Sequence, residues 1–155
     1  PAVAVKASPE VLAHGKQHAQ RPVHLQITII GAKGLRSADV GGESDPYCVC
    51  KIPKKKNYSF QTKVVKDTKN PQWHHTDEFI DYVPGEALQF SVYDDDVGGA
   101  DLLGTATLPS EKFYPSGFDN EISLDKAGKG VLALLSLRIE VLQTEYVLCV
   151  AQDYA

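Results

Sequence analysis

The chain has 155 residues, of which 43% are apolar and 23% charged, and its formal net charge is −4. This length suits one domain that buries its own core without disulfide or metal cross-links. The negative charge argues against a general nucleic-acid binder, and no apolar run approaches the roughly 18 residues of a membrane-spanning helix. Because the chain begins with proline and contains no methionine, we interpret it as part of a longer protein.

Residues 1–21 have no sustained period, and we interpret them as an extension or linker. After them, four segments alternate apolar and polar residues with the period of a β-strand. The alternating segments are 23–29, 48–52, 88–92 and 131–141. Clusters of Gly, Pro, Asp and Asn separate them, and no segment has a convincing helical period. Short strands with frequent turns predict an antiparallel β-sandwich over residues 22–143. Residues 144–155 form either a tail or an extra strand.

Three cysteines, Cys48, Cys50 and Cys149, are too few for a disulfide framework. Cys48 and Cys50 are two residues apart on a predicted strand, so their side chains point to the same face. We expect both to be buried as small apolar side chains.

Two loops concentrate carboxylates. The first reads ADVGGESDPY and contains Asp39 and Asp45, and the second reads YDDDVGGAD and contains Asp94, Asp96 and Asp101. If these loops meet, their carboxylates repel one another, and a hard divalent cation with oxygen ligands offsets that repulsion. Calcium tolerates irregular loops better than magnesium does, and neither loop contains a cysteine or histidine for zinc. The alternative is that these are ordinary acidic turns that only interact with water.

In chain order, the segments LQITIIGAKGL, SDPYCVCKI, FQTKV, NPQW, LQFSVYDDD and DLLG resemble the C2 domain family, the calcium- and lipid-binding module of protein kinase C and synaptotagmin. The resemblance covers roughly residues 23–142. It implies an all-β, eight-stranded antiparallel β-sandwich. Because the first clear strand leads directly into the first acidic loop, the order of elements is similar to the circularly permuted type II topology. The family pattern is not complete, since Ala100 lacks a side-chain oxygen and Asp77 stands where an aromatic residue is usual.

The resemblance implies a calcium site at one end of the sandwich. Its carboxylate ligands would be Asp39, Asp45, Asp94, Asp96 and Asp101. Two backbone carbonyl ligands would come from Ala38 and Asp95.

It also implies contacts with lipid. Lys51 and Lys63, flanked by Tyr47 and Tyr93, match a concave basic patch that holds phosphoinositide headgroups in the family. Lys54, Lys55 and Lys56 extend the basic cluster, although they occupy a turn and are equally well explained as residues of a solvated loop. Val40 and Val97 lie at the tips of the acidic loops, where they either enter the acyl boundary or are apolar turn residues without a role.

Together these features predict calcium-dependent binding to anionic phospholipid membranes, containing phosphatidylserine or phosphoinositide, and targeting of a larger parent protein. The expected setting is the cytoplasm, reversibly peripheral on membranes, with protein partners as a further option and with the isolated domain a monomer. The alternative is a calcium-independent module that binds phosphoinositide or protein through its lysine-rich face. We predict no enzymatic activity, because the aspartates lie on turns without a catalytic motif nearby.

Overall fold

The computed structural model describes residues 23–37 and 41–142. The predicted extension 1–21 and tail 144–155, together with Cys149, therefore lie outside the described residues. The described part of the chain contains eight strands and one short 3-10 helix, Ser110–Lys112. The strands are β1 (Val23–Lys33), β2 (Pro46–Lys51), β3 (Ser59–Gln61), β4 (Gln72–Tyr82), β5 (Leu88–Asp96), β6 (Gly99–Leu108), β7 (Phe118–Ser123) and β8 (Leu134–Leu142). Among the described residues, no helix is long and apolar enough to cross a membrane.

The strands form two four-stranded sheets with the orders β4-β1-β8-β7 and β3-β2-β5-β6. Every neighbouring pair is antiparallel. The predicted all-β, eight-stranded antiparallel sandwich is therefore confirmed. In the first sheet, β8 lies between β1 and β7, and β1 leads directly into the first acidic loop. The type II assignment of this connectivity stays a prediction.

The core lies between the two sheets and consists of the inward-facing side chains of alternating strands. On β1 these are Leu25, Ile27 and Ile29, each with no exposed surface. Equivalent alternation on the other central strands buries Cys48, Cys50, Leu88, Phe90, Val92, Leu135, Leu137 and Ile139. Burial removes apolar surface from water and is the main favourable term for the fold.

The two described cysteines behave as predicted. Cys48 and Cys50 are free and buried, on the inward face of β2. Burial raises the pKa of the Cys48 thiol, and burial together with the nearby Cys48 and Asp77 raises that of Cys50. Both side chains are therefore neutral thiols at neutral pH and contribute as small apolar groups.

Asp77 stands where the family usually has an aromatic residue, and this difference changes the packing at one side of the sandwich. Asp77 pairs with the buried Ile27 across β1 and β4, so its side chain lies on the inward face of an edge strand. It remains half-buried, and one carboxylate oxygen lies 3.4 Å from Nε2 of His75, whose ring stacks on Phe60 with centroids 5.6 Å apart. Two polar side chains thus occupy positions on β4 that alternation would assign to apolar residues.

Residues 131–133, which alternation predicts as the start of the last strand, are not part of β8. The Val131 N–H instead donates to the carbonyl of Gly128 (3.1 Å), and the Ala133 carbonyl accepts from the Leu124 N–H (2.9 Å). These bonds close a loop, so the strand begins only at Leu134. The expected strand start is corrected accordingly.

Replacing Ile27 with alanine should lower the free energy of unfolding by about 2–5 kcal/mol, because the side chain is fully buried and its removal leaves a cavity. Ile80 is the matched control, since its side chain is 65% exposed and Ile80→Ala should change stability by no more than about 0.5 kcal/mol. Urea unfolding followed by tryptophan fluorescence measures both. Equal effects at the two positions would contradict this assignment of the core.

Candidate functional site

One end of the sandwich, called here the aspartate end, gathers four connections between strands. β1 ends beside the start of β8, β2 starts beside the end of β5, and β4 starts beside the end of β1. Antiparallel pairing therefore brings four loops to the same end. We name them loop one (34–45), loop two (62–71), loop three (97–98) and loop four (124–133).

Asp94 is the central side chain of this end. It continues the inward face of β5 beyond Leu88, Phe90 and Val92, and it has no exposed surface. Its Oδ1 accepts a hydrogen bond from the Asp45 N–H (2.7 Å). Its Oδ2 is buried and has no hydrogen-bond partner among the described residues. A buried acceptor without a partner is unfavourable, so this oxygen is a candidate ligand position.

Asp101 and Asp96 flank Asp94 across loop three. Asp94 pairs directly with Asp101 between β5 and β6, and Asp96 pairs with Gly99 at the hairpin tip. Residues paired in this way present their side chains on the same face of the sheet. Asp96 and Asp101 are exposed, and Oδ1 of Asp96 accepts from the Val97 N–H (2.7 Å). Asp95 points to the other face, while its N–H donates to the Asp45 carbonyl (2.9 Å).

Asp45 is held by a residue that the sequence did not single out. Its Oδ1 accepts from the Asp67 N–H in loop two (2.6 Å), and Oδ1 of Asp67 accepts from the Glu43 N–H in loop one (2.9 Å). Asp67 has a φ of 54°, a left-handed conformation that Asp and Asn tolerate better than most residues. The only signal in the sequence was the turn composition KDTKNP, which does not reveal the contact with Asp45.

The remaining proposed ligands of loop one, Ala38 and Asp39, lie outside the described residues, as does Val40. Within residues 23–37 and 41–142, no group of three or more His, Cys, Asp or Glu side chains is placed to hold a metal ion. Asp94 has a buried oxygen without a partner among the described residues and is the one of them that best fits a hard cation. Its neighbours Asp45 and Asp101 are not placed to complete a group of three with it. Their donors are all oxygens, which is the chemistry that calcium requires.

The outer face of the second sheet carries the aromatic and basic residues of the candidate lipid site. Tyr47 and Tyr93 are paired across β2 and β5, and their rings stack with centroids 5.7 Å apart. Burial, the nearby Asp95 and Tyr93 itself raise the pKa of Tyr47. Lys63 is exposed and follows a hydrogen bond from the Thr62 N–H to the Cys48 carbonyl (2.9 Å). This bond sets Lys63 near the Tyr47 end of β2.

The structure does not bring all predicted lipid residues together. Lys51 is exposed at the far end of β2, four residues from Tyr47 and so about 13 Å away along the strand. Lys54, Lys55 and Lys56 follow it in the β2–β3 turn, at the opposite end of the sandwich from the aspartates.

Lys55 has partners within the domain. Its Nζ lies 3.1 Å from Oε1 of Glu86, donates to the Asp81 carbonyl and sits 4.5 Å from the centroid of the Tyr58 ring. Lys54 lines a neighbouring cavity of about 300 Å³. Val97, in contrast, is fully exposed at the tip of loop three.

A family model described as C2 domain matches residues 23–124. The chain belongs to the C2 domain family. Among curated proteins, this C2 domain is 31% identical to synaptotagmin-4 of Arabidopsis thaliana over 121 residues, covering 71% of the chain and 21% of that protein. It is 34% identical to extended synaptotagmin-1 of Mus musculus over 118 residues, covering 71% of the chain and 10% of that protein. The chain thus spans about a fifth or less of the length of these relatives.

Solved structures agree with this membership. The C2A domain of plant extended synaptotagmin 1 superimposes with a TM-score of 0.70 and 25% identity, covering 80% of this C2 domain chain and 99% of that chain. The calcium-bound C2A and C2B domains of extended synaptotagmin 2 give a TM-score of 0.67 and 27% identity, covering 79% and 46% of the two chains. Human GIVD cytosolic phospholipase A2 gives 0.70 at 24% identity. The similarity to this enzyme covers 17% of the enzyme's chain and shows the fold alone.

In the presence of a chelator, replacing Asp94 with asparagine should leave the free energy of unfolding unchanged or raise it by up to about 1 kcal/mol. The substitution keeps an oxygen for the Asp45 N–H and removes a buried negative charge that faces Asp101. Urea unfolding in excess chelator measures the effect. Asp101→Asn, at an exposed position, is the control for the general loss of one charge, and a loss of more than about 1 kcal/mol in Asp94→Asn alone would contradict the interpretation.

Proposed function

We propose that this C2 domain binds anionic phospholipid membranes through its aspartate end in a calcium-dependent manner. The observation that carries the proposal is the buried Oδ2 of Asp94, which has no hydrogen-bond partner among the described residues and lies next to Asp45 and Asp101. Family membership supports it, and one of the similar structures is described as calcium bound. By this proposal the domain targets a larger cytoplasmic protein to membranes reversibly and is itself a monomer.

The residues that would hold calcium are the carboxylates of Asp39, Asp45, Asp94, Asp96 and Asp101, with the carbonyls of Ala38 and Asp95. Bound calcium would supply positive charge and open coordination positions for phosphate oxygens. The chain's own contribution is to preorganise this end. Asp45 and Asp94 are fixed by hydrogen bonds from the backbone N–H groups of Asp67 and Asp45, so ligand binding does not have to order them.

Without a cation, the aspartate end presents opposing charges to a membrane. Its exposed carboxylates repel anionic lipid, whereas the lysines near it attract anionic lipid by about 1 kcal/mol each when close to the surface. Screening limits both effects to about 8 Å at physiological salt. Neutralising the carboxylates therefore converts a mixed surface into an attractive one, and this change is the switch that we propose.

Two further groups are assigned to lipid. Val97 is fully exposed at the tip of loop three, and its burial in the acyl boundary contributes at most roughly 1.5–2 kcal/mol. Lys63, Tyr47 and Tyr93 would contact a headgroup beside the loops. Lys51 lies further along the same face and would reach a headgroup only if the domain tilts.

A second candidate function is calcium-independent binding of phosphoinositide or protein through the outer face of the second sheet. It is favoured by the absence, within the described residues, of a group of three potential metal ligands. The stacked Tyr47 and Tyr93, with Lys51 and Lys63 at either end of β2, would form its binding surface.

Millimolar calcium should raise the thermal unfolding midpoint of the 155-residue chain. If calcium exceeds its dissociation constant several hundredfold, the stabilisation is about 3 kcal/mol, because only the folded state binds the ion. Differential scanning calorimetry with calcium and with chelator measures the shift.

The matched control is the double variant Asp94→Asn, Asp96→Asn, which should show no shift with calcium, and magnesium should shift the native chain much less. An unchanged midpoint in the native chain would exclude the calcium mechanism. Vesicle binding in chelator would then test the second candidate, with Lys51→Gln, Lys63→Gln as the variant expected to lose binding.

A further inference from the structure

Loop four lies at the aspartate end although no carboxylate of the proposed calcium site belongs to it. Ser123 at the end of β7 pairs with Leu134 at the start of β8, and Leu134 also pairs with Lys33 at the end of β1. The loop between β7 and β8 therefore emerges beside loop one. Residues 124–133 follow the sequence LDKAGKGVLA.

The backbone of loop four is held against the sandwich. Asp125 forms an isolated bridge with Thr105 of β6, with N–H to carbonyl bonds of 2.7 and 2.9 Å. Leu124, Ala127 and Ala133 are buried, with exposed fractions of 7% or less. The backbone of loop four is thus folded onto the domain.

Leu132 is the apolar side chain that loop four exposes. Its exposed fraction is 72%, although its carbonyl lies so close to Gly34 that a Cβ there would be 2.5 Å away. Among the described residues, the exposed large apolar side chains are Ile80, Val97 and Leu132. Two of these three, Val97 and Leu132, lie at the aspartate end, whereas Ile80 lies near the far end of β4.

Two lysines accompany Leu132. Lys126 and Lys129 are exposed, and neither forms a salt bridge within the part of the chain that the structure describes. Arg36 lies between this loop and β6. Its Cδ is 3.1 Å from the position of a Cβ on Gly128, and its Nη2 donates to the Leu102 carbonyl (2.9 Å). Loop four is therefore linked through Arg36 to the strand that follows loop three.

We propose that loop four is a second membrane-contacting loop, in which Leu132 enters the acyl boundary and Lys126 and Lys129 contact anionic phospholipid headgroups. This inference rests on the proposed function, because it requires that the aspartate end faces the membrane. An exposed leucine with exposed lysines in the same loop fits an anionic lipid surface, which offers an apolar interior below a layer of negative charge. Because these lysines are at the same end as the carboxylates, their charge offsets part of the repulsion between those carboxylates and the lipids.

The first test measures the apolar contact. The 155-residue chain is mixed, with and without calcium, with vesicles of phosphatidylcholine and phosphatidylserine, and bound protein is determined by sedimentation. Leu132→Ser should weaken vesicle binding about tenfold, because one large apolar side chain no longer leaves water. Ile80→Ser removes an equally large and similarly exposed side chain at the other end and should leave binding unchanged.

The second test locates the loop directly. Leu132→Trp and Ile80→Trp are compared on vesicles that contain brominated acyl chains, which quench tryptophan fluorescence only within the bilayer. Quenching above that of native Trp73 is expected for Leu132→Trp and not for Ile80→Trp. Equal quenching in both variants overturns the proposal.

The third test measures the charge. Lys126→Gln, Lys129→Gln should weaken binding about tenfold at low salt and much less at high salt, because the contribution is electrostatic. Lys112→Gln removes one charge at the opposite end, outside every proposed lipid site, and is the matched control for the single variants Lys126→Gln and Lys129→Gln. An equal loss in Lys112→Gln and in the single loop-four variants would mean that net charge alone matters and would overturn the assignment to loop four.

The outcomes also separate this inference from the proposed function. If the native chain binds these vesicles and the loop-four variants bind equally well without added quenching, the inference is wrong and membrane binding stands. If the native chain binds no vesicles with or without calcium, both proposals are overturned.

Discussion

The hydrogen bond from the Asp45 N–H to the Asp94 carboxylate (2.7 Å) is the contact on which the aspartate end depends. It joins loop one to the last inward-facing position of β5, two segments that are far apart in sequence. Phe90 and Val92 are buried in the core on the inward face of β5, and Asp94 lies on that same face. The strand therefore holds the Asp94 carboxylate in an inward position. The same packing leaves Oδ2 of Asp94 buried without a partner among the described residues. A group that lowers stability in this way, held by a well-packed strand, is typical of functional sites.

The aspartate end carries charges of both signs. Carboxylates from loops one, two and three lie around Asp94, and exposed lysines come from loops two and four, where the exposed Asp125 accompanies them. These lysines are Lys63, Lys66, Lys69, Lys126 and Lys129. Charges of both signs at one end partly cancel at a membrane surface when they lie within a Debye length of each other. Under the proposed function, the charge of the carboxylates would decide the net effect on anionic lipid, because it is the part that a cation can change.

The fold and the inward position of Asp94 were predictable from the sequence, because most of β1, β2, β5 and β8 alternates and alternation reports which face is buried. β4 was not predictable in this way, since His75 and Asp77 occupy inward positions of an edge strand where solvent reaches them. β3 has only three residues, too few for a period to be recognised. The contact between Asp67 and Asp45 depends on the packing of two loops, and neither composition nor spacing contains that information.

The position of the exposed apolar side chains determines how such a domain would lie on a bilayer. Lysines alone do not fix an orientation, because Lys51 lies about 13 Å along β2 from Tyr47 and Lys55 is bound to Glu86. The outer face of the second sheet has no exposed large apolar side chain among its described residues, so a contact through that face is mainly electrostatic and sensitive to salt. The apolar side chains Val97 and Leu132 project from the aspartate end instead. Insertion there would bring the carboxylates to the phosphates. A tilt toward the second sheet would then let Lys51 act in the same orientation as the lysines of loop four.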